Sequence, residues 1–273
     1  ELRTDGGPSS GFLVPSVRIS GSNGGEVSGS YYWRLAENRD LQLGAHVFTD
    51  VLPMARATYR ELSSNGAFQA TGYVTRSRRV NPFTGTAQGE QDFRGYIAAN
   101  GRYQLSENWQ FTGSTRIASD RTFLRRYDIS RDDRLRTVAE LERIDADSYF
   151  VVAGFATQTL RLDQSQGQVP VALPLIDYRR RIDEPLLGGT VTLRGNSLAI
   201  TRDAGQDTQR ALASAQWDLR KVTGLGQVVR LTALARGDVY HTADSAQTDI
   251  ASYRGENGLS LIHISEPTRL GMI

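Results

Sequence analysis

In residues 109–117, Trp109, Phe111, Gly113, Thr115 and Ile117 occupy every second position, and Gln110, Thr112, Ser114 and Arg116 fill the positions between them. Side chains of an extended chain point alternately to opposite faces, so this spacing describes a strand with one apolar and one polar side. The same division recurs along the chain. Residues 94–105 set Ile97, Ala99, Tyr103 and Leu105 against Arg94, Asn100, Arg102 and Gln104. In 211–219, Ala211, Ala213, Ala215, Trp217 and Leu219 oppose Ser214, Gln216 and Asp218; in 228–236, Val229, Leu231, Ala233 and Ala235 oppose Arg230, Thr232 and Arg236. One side of each strand accepts no charge, the other takes it freely, and no stretch carries a competing helical period. The predicted fold class is all-β and antiparallel.

The apolar sides need a medium to face. Short breaks fall at 36–40, 63–66, 106–108, 144–147, 182–185 and 223–226, and most of the breaks between them read as longer polar loops, at 76–92, 118–134 and 161–168. Short turns at one end and long loops at the other are the asymmetry of a transmembrane outer-membrane β-barrel. Tilted strands of about ten residues match the hydrocarbon thickness. Trp33 and Trp217 precede short turns and Trp109 follows one, which assigns all three to one membrane interface as an aromatic belt. A soluble sandwich or a β-solenoid would also bury one face. A sandwich has no reason to sort short from long connections, and no fixed repeat length supports a solenoid. A mean hydropathy of −0.40 fits a barrel whose interior and loops are polar.

Composition excludes several other classes. At 273 residues the chain has room for one large domain or two ordinary ones. A net charge of +2 gives no ground for a nucleic-acid partner. Of 32 basic residues only Lys221 is a lysine, a bias that GC-rich coding explains, although arginine also suits bidentate phosphate contacts. Without cysteine there is neither a disulfide framework nor a thiolate metal site within this chain. No run reaches the roughly 18–20 apolar residues of a membrane helix.

Catalytic constellations are nearly absent. His46 and His241 lie far apart in sequence, and His46, facing away from Leu43, Ala45 and Val47, reads as a solvated strand histidine. Asp132 and Asp133 read as a charged loop with too few ligands for a cation. The glycines of 224–226 make a turn without the lysine or helix of a phosphate loop. No catalytic residue, metal site or cofactor is expected, and the chain is not read as an enzyme.

The segment SGFLVPSVRIS (10–20), followed by YYWRLAENRDLQL (31–43), resembles the start of the barrel in the LptD family of LPS-assembly proteins, also called organic solvent tolerance proteins. NWQFTGSTRIASDRTFLRRYDIS (108–130) and LPLIDYRR (173–180) resemble later strand and loop segments of that family, and the likeness spans most of 10–240. Ser16, Val17 and Arg18 depart from it, because aromatic or glycine residues are frequent in the family after the proline. The resemblance implies a translocon in the outer membrane of a Gram-negative bacterium, inserting lipopolysaccharide into the outer leaflet. The sugars would cross the barrel lumen and the lipid would leave laterally between the first and last strands. The implied partners are lipopolysaccharide, an LptE-type lipoprotein plug, outer-membrane lipid, and a periplasmic LptA-type bridge protein reached through an N-terminal domain absent from this chain. The alternative is a porin or receptor barrel for solute uptake; a barrel lipase or protease would have only two histidines to build from.

Under that resemblance the strand around 11–19 is the first of the barrel, and Gly11 and Pro15 form its lateral gate. Proline has no N–H for a ladder bond, so Pro15 weakens the seam where a lipid must pass, and Pro15→Ala is expected to tighten it. The other reading is an ordinary edge-strand proline. Leu13, Pro15, Val17 and Ile19 are expected to share the outward face, with Phe12, Ser16 and Arg18 inward. Arginines such as Arg34, Arg94, Arg102 and Arg230 face either phosphorylated sugars or solvent.

Three segments follow. Residues 1–10 are the junction with an upstream periplasmic domain, and 11–258 are the partial barrel. The last segment, 259–273, reads LSLIHISEPTRLGMI and resembles a translated transposon-end sequencing adapter, so it and His263 are set apart from the fold.

Overall fold

The computed structural model describes residues 9–264 except 22, 82, 83, 85, 186, 225 and 244–249. All but two residues of the expected junction lie outside the described residues, as do Leu225 in the turn 223–226 and the end of the adapter-like segment, 265–273. The fold is all-β and antiparallel, consistent with an incomplete barrel, and no helix among the described residues is long and apolar enough to cross a membrane. The chain divides into two compact units, Glu1–Glu140 with Phe155–Pro170, and Leu141–Gly154 with Val171–Ile273.

The first unit holds β1 (Gly11–Phe12), β2 (Ser16–Ser20), β3 (Gly24–Ala36), β4 (Arg39–Phe48), β5 (Met54–Ser63), β6 (Gly66–Val80), β7 (Ala87–Gln104) and β8 (Trp109–Ala118). It also takes part of the hairpin of β9 (Arg134–Ile144) and β10 (Ser148–Thr159), whose remainder belongs to the second unit. Strands β3 to β8 pair antiparallel in chain order, and β1 and β2 both pair with β3. Register sorts the side chains as the alternation demands. Tyr31 stands opposite Leu43 and Leu43 opposite Ala57, while Ile97 stands opposite Ile117, giving an exposed apolar face. His46, Arg94, Asn100 and Arg102 fall on the other face.

The polar face carries the unit's one buried apolar cluster among the described residues. Phe123 and Leu124 come from α1 (Phe123–Arg126), in the connection 119–133, and pack with Phe48, Met54, Tyr96, Tyr127, Leu135 and Leu160. Local chemistry makes this short helix. Asp120 Oδ1 accepts from the Thr122 N–H at 2.9 Å and from its hydroxyl at 2.7 Å at the helix start. At the other end Asp128 has φ 52°, and the Ile129 N–H returns to the Leu124 carbonyl at 2.9 Å, the pattern of a left-handed C-terminal cap.

The second unit continues with β11 (Val171–Asp183), β12 (Thr190–Thr201), β13 (Asp207–Val222), β14 (Val228–Ala243) and β15 (Ile250–Ile264), again antiparallel in chain order. Trp217 lies opposite Val191 and Ala233, and Leu219 opposite Leu231, on the apolar face. The polar face carries Asp177, Arg194, Arg210 and Arg236. Strand β15 pairs with β14 as far as Ile264, so the backbone of 259–264 continues the last strand. Ladder bonds are made by main-chain groups, which every residue but proline supplies.

The expected loop at 76–92 is mostly strand. Arg76 pairs with Phe93, Ser77 with Asp92, and after a bulge Arg79 with Gln88, leaving 81–86 as the connection. Its polar residues suggested a loop, but ladder bonds are made by the main chain and a strand with both faces solvated needs no apolar side. The connections at 49–53 and 202–206 are also short, so the asymmetry of turns and loops rests on 119–133 and 160–170.

Candidate functional site at the Pro15 edge

Pro15 sits in the break between β1 and β2, and the ladder explains the break. Phe12 pairs with Tyr31, and Ser16 with Ser28. Three residues, 13–15, therefore oppose two, Gly29 and Ser30. One extra residue on one strand is a β-bulge, which locally disrupts the ladder and re-aims side chains. Leu13 keeps one backbone bond, its N–H donating to the Ser30 carbonyl at 2.8 Å. Pro15 falls where no strand bond is made.

The bulge corrects the expected facing of this segment. An unbroken strand would turn Phe12 away from Val17 and Ile19. The extra residue inverts the alternation between them, so Phe12 joins Val17 and Ile19 on the apolar face, its ring edge-on to Tyr31 at 5.1 Å. Phe12, Val14, Val17 and Ile19 are 87%, 93%, 76% and 85% exposed. Arg18 falls on the polar face as expected. Among the described residues β1 and β2 have no partner strand besides β3, so this apolar stripe borders an open sheet edge. A Cβ added to Gly11 would meet no atom within 4 Å, so the space there is open to any residue.

Behind the edge, charged groups hold β2 in place. Arg18 donates to Glu26 Oε2 through Nε at 3.0 Å and Nη2 at 2.8 Å, and its Nη1 reaches Asp128 Oδ2 at 2.8 Å. His46 Nδ1 lies 2.7 Å from Glu26 Oε1. His46 is thus half-buried against a carboxylate rather than solvated. Ser28 stands opposite His46 in register, and its hydroxyl pairs with Ser16 at 2.7 Å; among the described residues no hydroxyl hydrogen-bonds to this imidazole. The arrangement tethers β2 through Arg18 and Glu26 and orients the His46 ring.

Sequence reasoning missed what anchors the connection 119–133. Arg94 is buried and gives Asp120 two bonds, from Nε at 2.7 Å and Nη2 at 2.8 Å, with further bonds to Thr122 Oγ1, Ser77 Oγ and the Arg78 carbonyl. Arg94 is therefore not free for a sugar. Burial would push the Asp120 carboxyl up, but the bonds from Arg94 and Thr122 win and hold it down at about 2. Arg116 likewise holds Asp132 below the usual carboxylate range. The apolar spacing Phe123, Leu124, Tyr127 inside a charged run was the available signal.

The tryptophans are on the apolar faces. In the first unit Trp33 is 49% exposed and lies opposite Leu41, and Trp109 begins β8. In the second, Trp217 donates its indole N–H to the Gly188 carbonyl at 2.7 Å.

The chain is similar to known proteins along part of its length. The family model described as "LptD: LPS transport system D" matches residues 92–261. Gly11, Pro15 and Trp33 precede that stretch, and Trp109 and Trp217 lie within it. Similar proteins include "LPS-assembly protein LptD" of Psychrobacter arcticus, 45% identical over 56 residues, or 20% of this chain and 6% of the relative. The protein of the same name from Burkholderia thailandensis is 36% identical over 107 residues, covering 36% of this chain and 13% of the relative. That of Shewanella oneidensis is 28% identical over 142 residues, covering 51% and 17%. The chain thus spans less than a fifth of the length of these curated relatives.

Proposed function

The chain belongs to the LptD family, LPS transport system D, and from that premise we propose that it supplies the first part of an outer-membrane barrel that inserts lipopolysaccharide into the outer leaflet. The apolar faces contact hydrocarbon and the polar faces line the lumen. Trp33, Trp109 and Trp217 form the interfacial belt. The edge at β1 and β2 is one side of a lateral gate, with Gly11 and Pro15 in its weak part. The role is transport rather than catalysis. Its partners are lipopolysaccharide, an LptE-type plug, an LptA-type bridge engaging a separate periplasmic domain, and outer-membrane lipid. The segment 259–273 is adapter-derived; resequencing the gene past codon 258 tests that.

One observation carries the gate reading: at a sheet edge, a bulge around Pro15 removes ladder bonds while keeping four exposed apolar side chains beside it. Each absent backbone bond forgoes roughly 0.5–1.5 kcal/mol, and more in lipid, where water cannot replace it. The bonds forgone here are those to β3, so the edge strand is held loosely on its inner side and can swing aside more readily, and its apolar rim suits acyl chains. Relatives named for LPS assembly favour this over a solute-uptake barrel.

The test places a photo-crosslinking amino acid at Phe12, Val14 or Val17 of the complete protein in cells. Lipopolysaccharide adducts at these positions, and weaker ones at Ile97, are expected. Adducts at Ile97 without any at the edge would contradict the gate.

A further inference from the structure

Among the described residues, four arginines on the polar face of the second unit, Arg179, Arg194, Arg210 and Arg236, stand beside two carboxylates, Asp177 and Asp238. Register sets Arg179 opposite Arg194, Arg194 opposite Ser214, and Ser214 opposite Arg236, in one row across four strands. Like charges directly opposite each other on a sheet repel. Asp177 is committed to Arg179, through bonds of 2.9 and 3.1 Å, and the buried Asp238 to Arg236, through bonds of 2.9 and 3.3 Å. Arg210 has only a neutral partner, donating to Asn196 Oδ1 at 3.1 Å. Among the described residues the Arg194 side chain has neither a hydrogen-bond nor a carboxylate partner. Arg194, Arg210 and Arg236 line a cavity of about 230 Å³ with Asp177, Asn196 and Ser214.

We propose that this cavity is an anion subsite that takes a phosphate group, with Arg194 and Arg210 as its direct donors. The guanidinium fork matches phosphate oxygens in pairs, and the Ser214 hydroxyl supplies a neutral donor beside them. Arg236, already held by Asp238, contributes field rather than a free fork. The two carboxylates fix their own arginines and leave the positive charge of Arg194 and Arg210 directed at the cavity. Resting on the transport reading, the subsite would engage phosphate-bearing sugars as they move along the polar face. A carrier must release what it binds, and two arginines beside open solvent hold a phosphate more loosely than an enclosed site would.

The complete protein, purified in detergent at low ionic strength, is titrated with glucose 1-phosphate, inorganic phosphate and glucose. Saturable binding of glucose 1-phosphate is expected, with none of glucose. Arg194→Gln should weaken it about tenfold, the value of one charge-assisted bond, and Arg194→Gln with Arg210→Gln should abolish it. Arg202→Gln, in the connection 202–206, should leave it unchanged, and Arg194→Lys should fall between Gln and wild type. Tighter binding of glucose 1-phosphate than of phosphate supports a sugar-borne ligand; equal binding supports a bare phosphate site. Unaltered affinity in a folded double variant, checked by its heat-modifiable gel mobility, would overturn the proposal, as would no saturable binding to wild type. Surface lipopolysaccharide in cells separates the two readings. Its absence with wild-type protein contradicts transport, while lost sugar-phosphate binding in the variant still supports the subsite.

Discussion

Arg18 Nη1 donates to Asp128 Oδ2 at 2.8 Å, joining the edge strand β2 to a connection 110 residues further along the chain. The same guanidinium neutralises Glu26, which is almost fully buried. The two bonds differ in worth. Arg18 and Asp128 are both well exposed, and such pairs contribute less than about 1 kcal/mol. Glu26 without Arg18 would be a buried carboxylate left with His46 alone, a loss of about 1–3 kcal/mol.

Arg18→Ala should therefore destabilise the edge clearly more than Asp128→Asn. Hydrogen exchange on the complete protein checks this: β2 should exchange faster in Arg18→Ala, and 124–130 faster in both. Equal exchange of β2 in the two variants would show that Glu26 does not depend on Arg18.

The Arg94–Asp120 pair predicts acid sensitivity of the connection 119–133. The folded Asp120 value of about 2 lies below its ordinary 3.8. Its charged form thus adds about 2 kcal/mol above about pH 4, and this is lost as pH falls toward about 2. Protection of the α1 amides should fall across that window in wild type, and Asp120→Asn should start low and stay flat.

Pro15 and the extra residue beside it make separable contributions. Pro15→Ala returns one backbone donor and should lower surface lipopolysaccharide modestly. Deleting Val14 as well removes the extra residue, lets 12 and 16 share one register, and should lower it further. Surface labelling with a lipopolysaccharide antibody reads both. Normal levels in the double change would take the bulge out of the mechanism.

The proposed belt makes a depth prediction. Single-tryptophan forms retaining Trp33, Trp109 or Trp217 should be quenched equally, and most strongly, by lipids brominated close to the headgroups. In the turn below Trp217, Gly189 has φ 81° and a Cβ there would overlap the Asp218 carbonyl oxygen. Gly189→Ala should cost about 1–3 kcal/mol and shift the Trp217 emission by disturbing its bond to Gly188.

The strands were legible because a sheet with one apolar and one polar face writes them at alternate positions, as Ile97 and Ala99 against Asn100 and Arg102 show. The bulge was not legible: Phe12, Leu13 and Val14 are all apolar, so a change of parity leaves no mark, and only Pro15 hinted at a break. Neither was the role of Arg94, whose partner Asp120 lies 26 residues away and reads as a loop charge like any other. Polar residues at 76–80 suggested a loop because composition cannot distinguish a solvated strand from a turn.

If alternate faces meet different solvents, collision rates along one strand will alternate too. Spin labels placed singly at 97 and at 99–103 in the complete protein, reconstituted in bilayers, report collisions with oxygen and with a water-soluble nickel chelate. Positions 97, 99, 101 and 103 should favour oxygen, and 100 and 102 the nickel complex. Odd positions shielded from both reagents, packed on another layer of protein, would contradict a membrane-spanning sheet.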